Sequence, residues 1–314
     1  MSDSSPVSIA VVGSLNIDYF TKVDLLPIPG ATVSSESLEL FRGGKGANQA
    51  IAAARQNAEV FFFGCVGKDE EGLGYRNSLI ESGIDVTYLR TADGRTGSAF
   101  IHVDPSGENM IVTAAGANGE LRSMDIQAGI GTLRQCQAVL AQFETTRDAV
   151  ITAARIANDA SIPVVLNPSP FDAEFPWHEI RTDFLIVNEG EAETLLQFSP
   201  LDEEPSAVRQ RLHECRIQTL IVTRGGDDTL IFSREDDQIV AVETLPVLPV
   251  DTVGAGDAFA GCFVARIAGG DALEDAVRAA NCAGALTTLG SGAQTPVPDR
   301  SAVDQHLEHL SATS

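Results

Sequence analysis

The stretch Ser8-Ile9-Ala10-Val11-Val12-Gly13 is an apolar run too short for a helix and closed by a glycine. Its hydrophobic residues are consecutive, not alternating. That pattern marks a strand covered on both faces, as in a parallel sheet. It returns at residues 60–64, 138–143, 164–166, 184–187 and 220–222. Between these runs lie helical stretches at 47–56, 72–82, 146–160, 192–197 and 206–215. Such alternation predicts βαβ units, and hence a three-layer α/β/α core with a mostly parallel sheet. Beyond residue 257 the pattern predicts a long helix, a second at 272–286 and an amphipathic one near 301–310. Residues 32–41 and 97–115 depart from the alternation, being β-like with no intervening helix. In the second, 98–103 reads as a strand, 104–107 (Asp-Pro-Ser-Gly) as a turn and 109–113 as a strand. These pieces predict a small accessory β-sheet serving as a lid over a site or as a dimer surface. No repeat, low-complexity stretch or Pro/Ser-rich linker breaks the chain, so one domain over 1–314 is expected.

Composition narrows the partners. The 314 residues include 21 Lys+Arg against 44 Asp+Glu, a net charge of −23, with 44% hydrophobic residues to fill a core. That acidity argues against nucleic acid or an anionic membrane as partner, since both need cationic surface. Lysine occurs only at Lys22, Lys45 and Lys68, so a lysine inside a motif carries weight. The five cysteines (Cys65, Cys136, Cys215, Cys262 and Cys282) are odd in number and form no CxxC pair, which predicts buried free thiols in a reducing compartment. No HxH or HExxH cluster suggests structural zinc. Residues 1–8 lack the basic region of a signal peptide, and no window of 18 apolar residues exists, so a cytoplasmic protein is expected.

Several motifs fall at predicted strand ends, where open α/β sheets bind ligands. Asn16 and Asp18, in the segment GSLNID after the first strand, point to one side of an extended backbone. An amide and a carboxylate there suit polyol hydroxyls; ordinary turn chemistry is the alternative. Gly43-Gly-Lys-Gly-Ala-Asn-Gln49 opens a helix whose free N–H groups, with Lys45 and Asn48, would face a ligand. It is no Walker A loop, because Glu39 occupies the first glycine position and Ala47 brings no hydroxyl. In Asp251-Thr-Val-Gly-Ala-Gly-Asp257 the amides of Gly254, Ala255 and Gly256 form an anion-binding concavity at a helix start. Asp257 beside it would repel a resting phosphate, which suggests a proton acceptor for an attacking hydroxyl; stabilisation of the helix start explains it equally well. The GxGxxG spacing of a dinucleotide site fails at Phe259. Asn188 and Glu191, after the strand at 184–187, suit hydrated Mg²⁺ or simply a helix cap. Glu144 ends another strand and is a candidate hydroxyl acceptor. Thr223-Arg224-Gly225-Gly226 ends the strand at 220–222 and is a candidate nucleotide contact.

Jointly these segments resemble the ribokinase-like (PfkB) family of sugar kinases, over about residues 11–298. The pieces that carry the resemblance are GSLNID, GGKGANQA at 43–50, GENMIVTAAGAN at 107–118, VNEGEAE at 187–193 and DTVGAGDAFAG at 251–261. The resemblance implies an α/β core with a β lid that mediates homodimerisation. It implies that Asn16, Asp18, Gly44, Lys45, Asn48 and Glu144 hold sugar hydroxyls and that Asp257 is the general base. Gly254, Ala255 and Gly256 would stabilise the transferring phosphoryl group, and Asn188 and Glu191 would order Mg²⁺ through water. Thr223, Arg224, Gly225, Gly226, Gly256 and Asn281, with Asn188, would border ATP. Asp251, Val253, Thr287, Gly290 and Gly292 would form a monovalent-cation site for K⁺. Two positions depart from the family: Asp228 replaces a glycine, adding an acid near the polyphosphate, and Pro296 replaces a serine able to ligate the cation. The expected reaction is ATP-dependent phosphorylation of a pentose, D-ribose to D-ribose 5-phosphate. A fructokinase, deoxyribokinase or nucleoside kinase of the same family is the alternative, followed by a non-catalytic sugar or nucleotide sensor.

Overall fold

The computed structural model describes residues 6–313; residues 1–5, part of the stretch read as lacking a signal peptide, and residue 314 lie outside them. The described strands are β1 (Ser8–Val12), β2 (Asn16–Lys22), β3 (Glu39–Gly43), β4 (Glu59–Gly67), β5 (Leu89–Ala92), β6 (Gly97–Val103), β7 (Asn109–Ala114), β8 (Ala138–Gln142), β9 (Val164–Asn167), β10 (Thr182–Asn188), β11 (Ile217–Arg224), β12 (Asp227–Ser233) and β13 (Ile239–Val242). The helices are α1 (Lys45–Arg55), α2 (Glu70–Glu81), α3 (Ser123–Ala128), α4 (Ile130–Leu133), α5 (Arg147–Asp159), α6 (Glu189–Leu196), α7 (Pro205–Glu214), α8 (Ala255–Ala268), α9 (Leu273–Thr287) and α10 (Arg300–Thr313).

Nine strands form one sheet in the order β13-β12-β11-β10-β9-β8-β1-β4-β5. The seven strands from β11 to β5 are parallel, while β12 and β13 extend the edge antiparallel. All six strands expected from the apolar runs are in the parallel part. Successive β1 residues feed opposite layers. Ile9 and Val11 pack with α1, α8 and α9, while Ala10 and Val12 pack with α3 and α5. Two-sided burial is the reason the run is continuous in sequence. Each large side chain withdrawn this way stabilises the fold by roughly 1.5–3 kcal/mol. All five cysteines are buried and free. Among the described residues no helix is long and apolar enough to cross a membrane.

The second sheet has the order β3-β2-β6-β7. It corrects the expected lid boundaries. The first lid strand is Asn16–Lys22, outside the two expected lid stretches although Asn16 and Asp18 are on extended backbone as expected, and strand structure in the 32–41 stretch is β3 with an isolated bridge at Ser35. The chain enters this sheet directly from β1 and returns to α1 directly from β3. The main sheet's switch point, where β1 lies between β8 and β4, is thus roofed by the smaller sheet.

Candidate active site

The carboxyl ends of the parallel strands deliver the expected residues to one edge of the main sheet. After β1 come Ser14 and Asn16. The Ser14 hydroxyl donates to Glu144 Oε2 at 2.6 Å, and the same oxygen accepts the Lys45 amide at 3.0 Å. Asn16 Oδ1 accepts from Asn118 Nδ2 at 2.8 Å, so its own amide N–H₂ is left for a ligand. Gly44 caps α1 at φ 90°, a left-handed conformation, and a Cβ there would lie 2.7 Å from the Asn16 amide nitrogen. That close approach is what the glycine permits. Asn16, Lys45, Asn118 and Glu144 line a cavity of about 420 Å³, walled on its other side by Thr113 to Ala115 at the end of the lid.

Two charged side chains here lack partners in the fold. The Asp18 carboxylate accepts no hydrogen bond from any described residue. Burial pushes its pKa up to about 7, with repulsion from Glu144 and then Asp257 adding to the effect. The Lys45 ammonium makes no ion pair with a described residue. Burial draws its pKa down, but Asp257, Glu144 and Glu191 together outweigh this and leave it raised. A half-buried carboxylate and a half-buried ammonium, neither paired among the described residues, are groups that a polar molecule can satisfy.

Asp257 lies in the first turn of α8, buried at 8% exposure. Its Oδ2 accepts from Asn48 Nδ2 and its Oδ1 from Gln49 Nε2, both at 2.9 Å. Asn48 Oδ1 in turn accepts from Gln294, which also donates to the Tyr75 hydroxyl. Gly254 precedes the helix at φ 80°. Ala255 and Gly256, with Thr223, Gly225, Gly226, Asn281 and others, line a cavity of about 530 Å³, which Asp257 itself does not line. At the helix start the Ala255 amide makes a long bond, 3.3 Å, to the Thr252 carbonyl, while the Gly256 amide has no partner among the described residues; the partial positive charge of the helix lies here with the Asp257 carboxylate next in sequence. An alcohol approaching from the Lys45 side can lose its proton to Asp257 while an anion rests on the amides.

The residues expected on the nucleotide side occupy different surroundings. Asn281 is buried, accepts from Thr229 and donates to the carbonyls of Val242 and Glu243. The Arg224 guanidinium pairs with Glu189 at 3.0 Å and is not among the residues lining this cavity. Residues 223–228 form the hairpin joining β11 to β12, with Arg224 opposite Asp227, and Asp228 likewise does not line the cavity. Asn188 and Glu191 form a reciprocal capping box on α6, Asn188 Oδ1 accepting the Glu191 amide at 2.8 Å and Glu191 Oε2 accepting the Asn188 amide at 3.0 Å. Glu191 Oε1 stays outside that exchange.

Asp251 Oδ1 accepts the Val253 amide at 3.0 Å and Oδ2 the Gly292 amide at 2.9 Å, while the Thr288 carbonyl accepts the amides of Val250 and Asp251. Thr287 ends α9, and Gly290 lies in the strap of residues 288–299 that joins α9 to α10, its amide reaching the Thr287 carbonyl. The Thr287 hydroxyl is spent on Ala283 within α9. Asp251, Val253 and Gly292 also line a cavity of about 600 Å³ that reaches Asp18 under the lid.

Comparison with known proteins accords with this geometry. The model of the pfkB family of carbohydrate kinases matches residues 7–300. The chain belongs to that family. It is 36% identical over 307 residues to a ribokinase of Haemophilus influenzae, covering 96% of this chain and 99% of the relative. It is 33% identical over 309 residues to a deoxyribokinase of Salmonella typhi, covering 97% and 99%. Among solved structures it superposes on an Arabidopsis thaliana ribokinase complexed with ribose and ATP at a TM-score of 0.86 and 28% identity, covering 97% of this chain and 99% of that one. As a pfkB protein it is a carbohydrate kinase, a phosphotransferase with an alcohol as acceptor. Sequence reasoning missed Gln49, Tyr75, Asn118, Gln142, Asn167 and Gln294, the polar side chains that hold the site residues in place. The available signal was an amide inside an otherwise apolar element: Gln49 in the alanine-rich α1, and Gln142 closing β8.

Proposed function

We propose that the protein transfers the γ-phosphoryl group of ATP to the primary hydroxyl of D-ribose, giving D-ribose 5-phosphate and ADP. One observation carries the reading. Asp257, in the helix turn whose amides border the 530 Å³ cavity, is hydrogen-bonded to Asn48 in the first turn of α1, on the side of Lys45. Asn16, Asp18, Gly44, Lys45, Asn48 and Glu144 hold the sugar. Asp257 accepts the hydroxyl proton as the oxygen attacks the γ-phosphorus and the bond to the β-phosphate oxygen breaks. The amides of Gly254, Ala255 and Gly256 take up the charge developing on the transferring group. Positioning and these dipoles supply most of the rate. Thr223, Gly225, Gly226, Gly256 and Asn281 border the nucleotide.

The donors at both cation positions are oxygens, which suit hard cations. Asn188 and Glu191 would hold Mg²⁺ through water, using Glu191 Oε1, and the Asp251 carboxylate with backbone of Val253, Thr287, Gly290 and Gly292 would hold K⁺. Such ions supply neutralisation of phosphate charge and order in the strap. The ribokinase relatives support ribose; the deoxyribokinase relative supports 2-deoxyribose as the second reading. Steady-state assays of ribose, 2-deoxyribose, fructose and adenosine with ATP and Mg²⁺, with and without K⁺, separate them. Ribose is expected to give the highest kcat/KM, and Asp257→Asn to lower kcat at least ~10²-fold. No ADP release with any of these acceptors, alongside intact sugar and ATP binding, would reject the kinase reading in favour of a sensor.

A further inference from the structure

We infer that Gln49 is a positioning residue that fixes the carboxylate plane of Asp257 through a buried amide relay anchored on the main sheet. The inference rests on the reading of Asp257 as the base and adds to it the means by which that base is aimed.

The relay has a direction that its ends impose. At one end stands the Ile186 carbonyl of β10, which can only accept. Asn167 Nδ2 donates to it at 2.9 Å, so Asn167 must turn its Oδ1 toward Gln49. Gln49 Nε2 donates to that Oδ1 at 2.9 Å and, with its second hydrogen, to Asp257 Oδ1 at 2.9 Å. Gln49 Oε1 must then accept, and Gln142 Nε2 at the end of β8 donates to it at 2.6 Å. At the other end, ionised Asp257 is also acceptor-only, so no amide in the series can flip without setting two acceptors face to face. Gln49 and Gln142 are both completely buried. Three adjacent strands of the main sheet thereby dictate the orientation of one carboxylate on α8.

The arrangement favours Asp257 at the expense of its own members. Gln142 Oε1, the group turned away from Gln49, is buried without a hydrogen-bond partner among the described residues. A network kept only for stability would be better satisfied with that acceptor removed. With Asn48 on Oδ2 and Gln49 on Oδ1, both carboxylate oxygens are held. Asn48 is in turn held by Gln294 from the strap, whereas Gln49 is held by the interior of the sheet. A small rotation of a base can cost a large factor in rate while leaving substrate affinity unchanged, because the loss appears only when the proton moves.

The test is a double-mutant cycle with ribose, ATP and Mg²⁺. Gln49→Leu is expected to lower kcat about 10- to 100-fold while the sugar KM stays within about threefold. In an Asp257→Asn background the same change is expected to lower the residual kcat by less than about twofold, because no base remains to be aimed. An equal loss in both backgrounds, or a loss confined to KM, overturns the inference and makes Gln49 a structural or sugar-contacting residue. Should Gln49→Leu fail to fold, Gln142→Met breaks the relay one link back, with an expected three- to tenfold kcat loss that again vanishes beside Asp257→Asn. An Asp257→Asn enzyme with full turnover overturns the base reading itself, a result distinct from additivity in the cycle.

Discussion

Asp18 shares its cleft with Glu144 and Asp257 and receives no hydrogen bond from the described residues. With a folded pKa of about 7 against an ordinary value of 3.8, its ionisation disfavours the folded state. The penalty is absent below pH 3.8, grows as pH rises, and is complete above about 7. Asp18→Asn is therefore expected to raise Tm at pH 8, with the gain shrinking toward pH 4, while raising the sugar KM at least about tenfold through loss of a charged acceptor. Differential scanning calorimetry across pH with parallel kinetics checks both halves; an equal Tm change at pH 4 and pH 8 would reject electrostatics as the cause. At this scale the sequence was informative about groups that meet a ligand. Asn16, Asp18, Lys45 and Asp257 drew notice because each is polar or charged in a motif at a strand end or helix start, though turn and helix-start chemistry would also explain Asn16, Asp18 and Asp257. Their supports did not stand out: Gln49 and Gln294 are ordinary residues until the fold brings them within 3 Å of Asp257 and Asn48.

At the level of elements, the start of α8 pits two glycines against each other. Gly254 has a positive φ, and a Cβ there would lie 2.6 Å from the Ala293 backbone, whereas a Cβ on Gly256 meets nothing within 4 Å. Gly254→Ala is expected to destabilise the protein by about 1–3 kcal/mol, displacing the strap from the helix start. Gly256→Ala is expected to leave Tm within about 2 °C, since alanine is the better helix former, yet to raise the KM for ATP by narrowing the cavity that residue lines. Thermal melts and ATP titrations distinguish the pair. The parallel strands were legible because burial on two faces leaves unbroken apolar runs. β2 was not, because Asn16-Ile-Asp-Tyr-Phe-Thr-Lys22 mixes ligand-facing and exposed residues in one strand and covers only one side of a thin sheet. The antiparallel edge was missed for a related reason: Gly225 and Gly226 suit a phosphate loop and a two-residue hairpin equally well.

For the molecule as a whole, the lid sets its two faces to different tasks. Asp18, Phe20, Phe41, Ile101 and Ile111 look into the cavity over the strap. Tyr19, Leu40, Phe100 and Val112 alternate with them on the opposite face, where Tyr19 stacks on Phe100 at 5.1 Å and Leu40 and Val112 remain 55% and 57% exposed. Homodimerisation through this face is the expected use of so much uncovered apolar area. Val112→Glu is expected to shift a dimer toward monomer in sedimentation velocity with little change in Tm of the monomeric form; an unchanged distribution would move the interface elsewhere. One strand carries Asp18 inward and Tyr19 outward, so a second copy seated on the outer face would stiffen the wall beside the proposed sugar cleft. Thermodynamic reciprocity then requires that occupancy of the interior strengthen attachment on the exterior by the same factor. Dilution would loosen the grip on the sugar, and saturating sugar would hold two copies together at concentrations where the unliganded chains part.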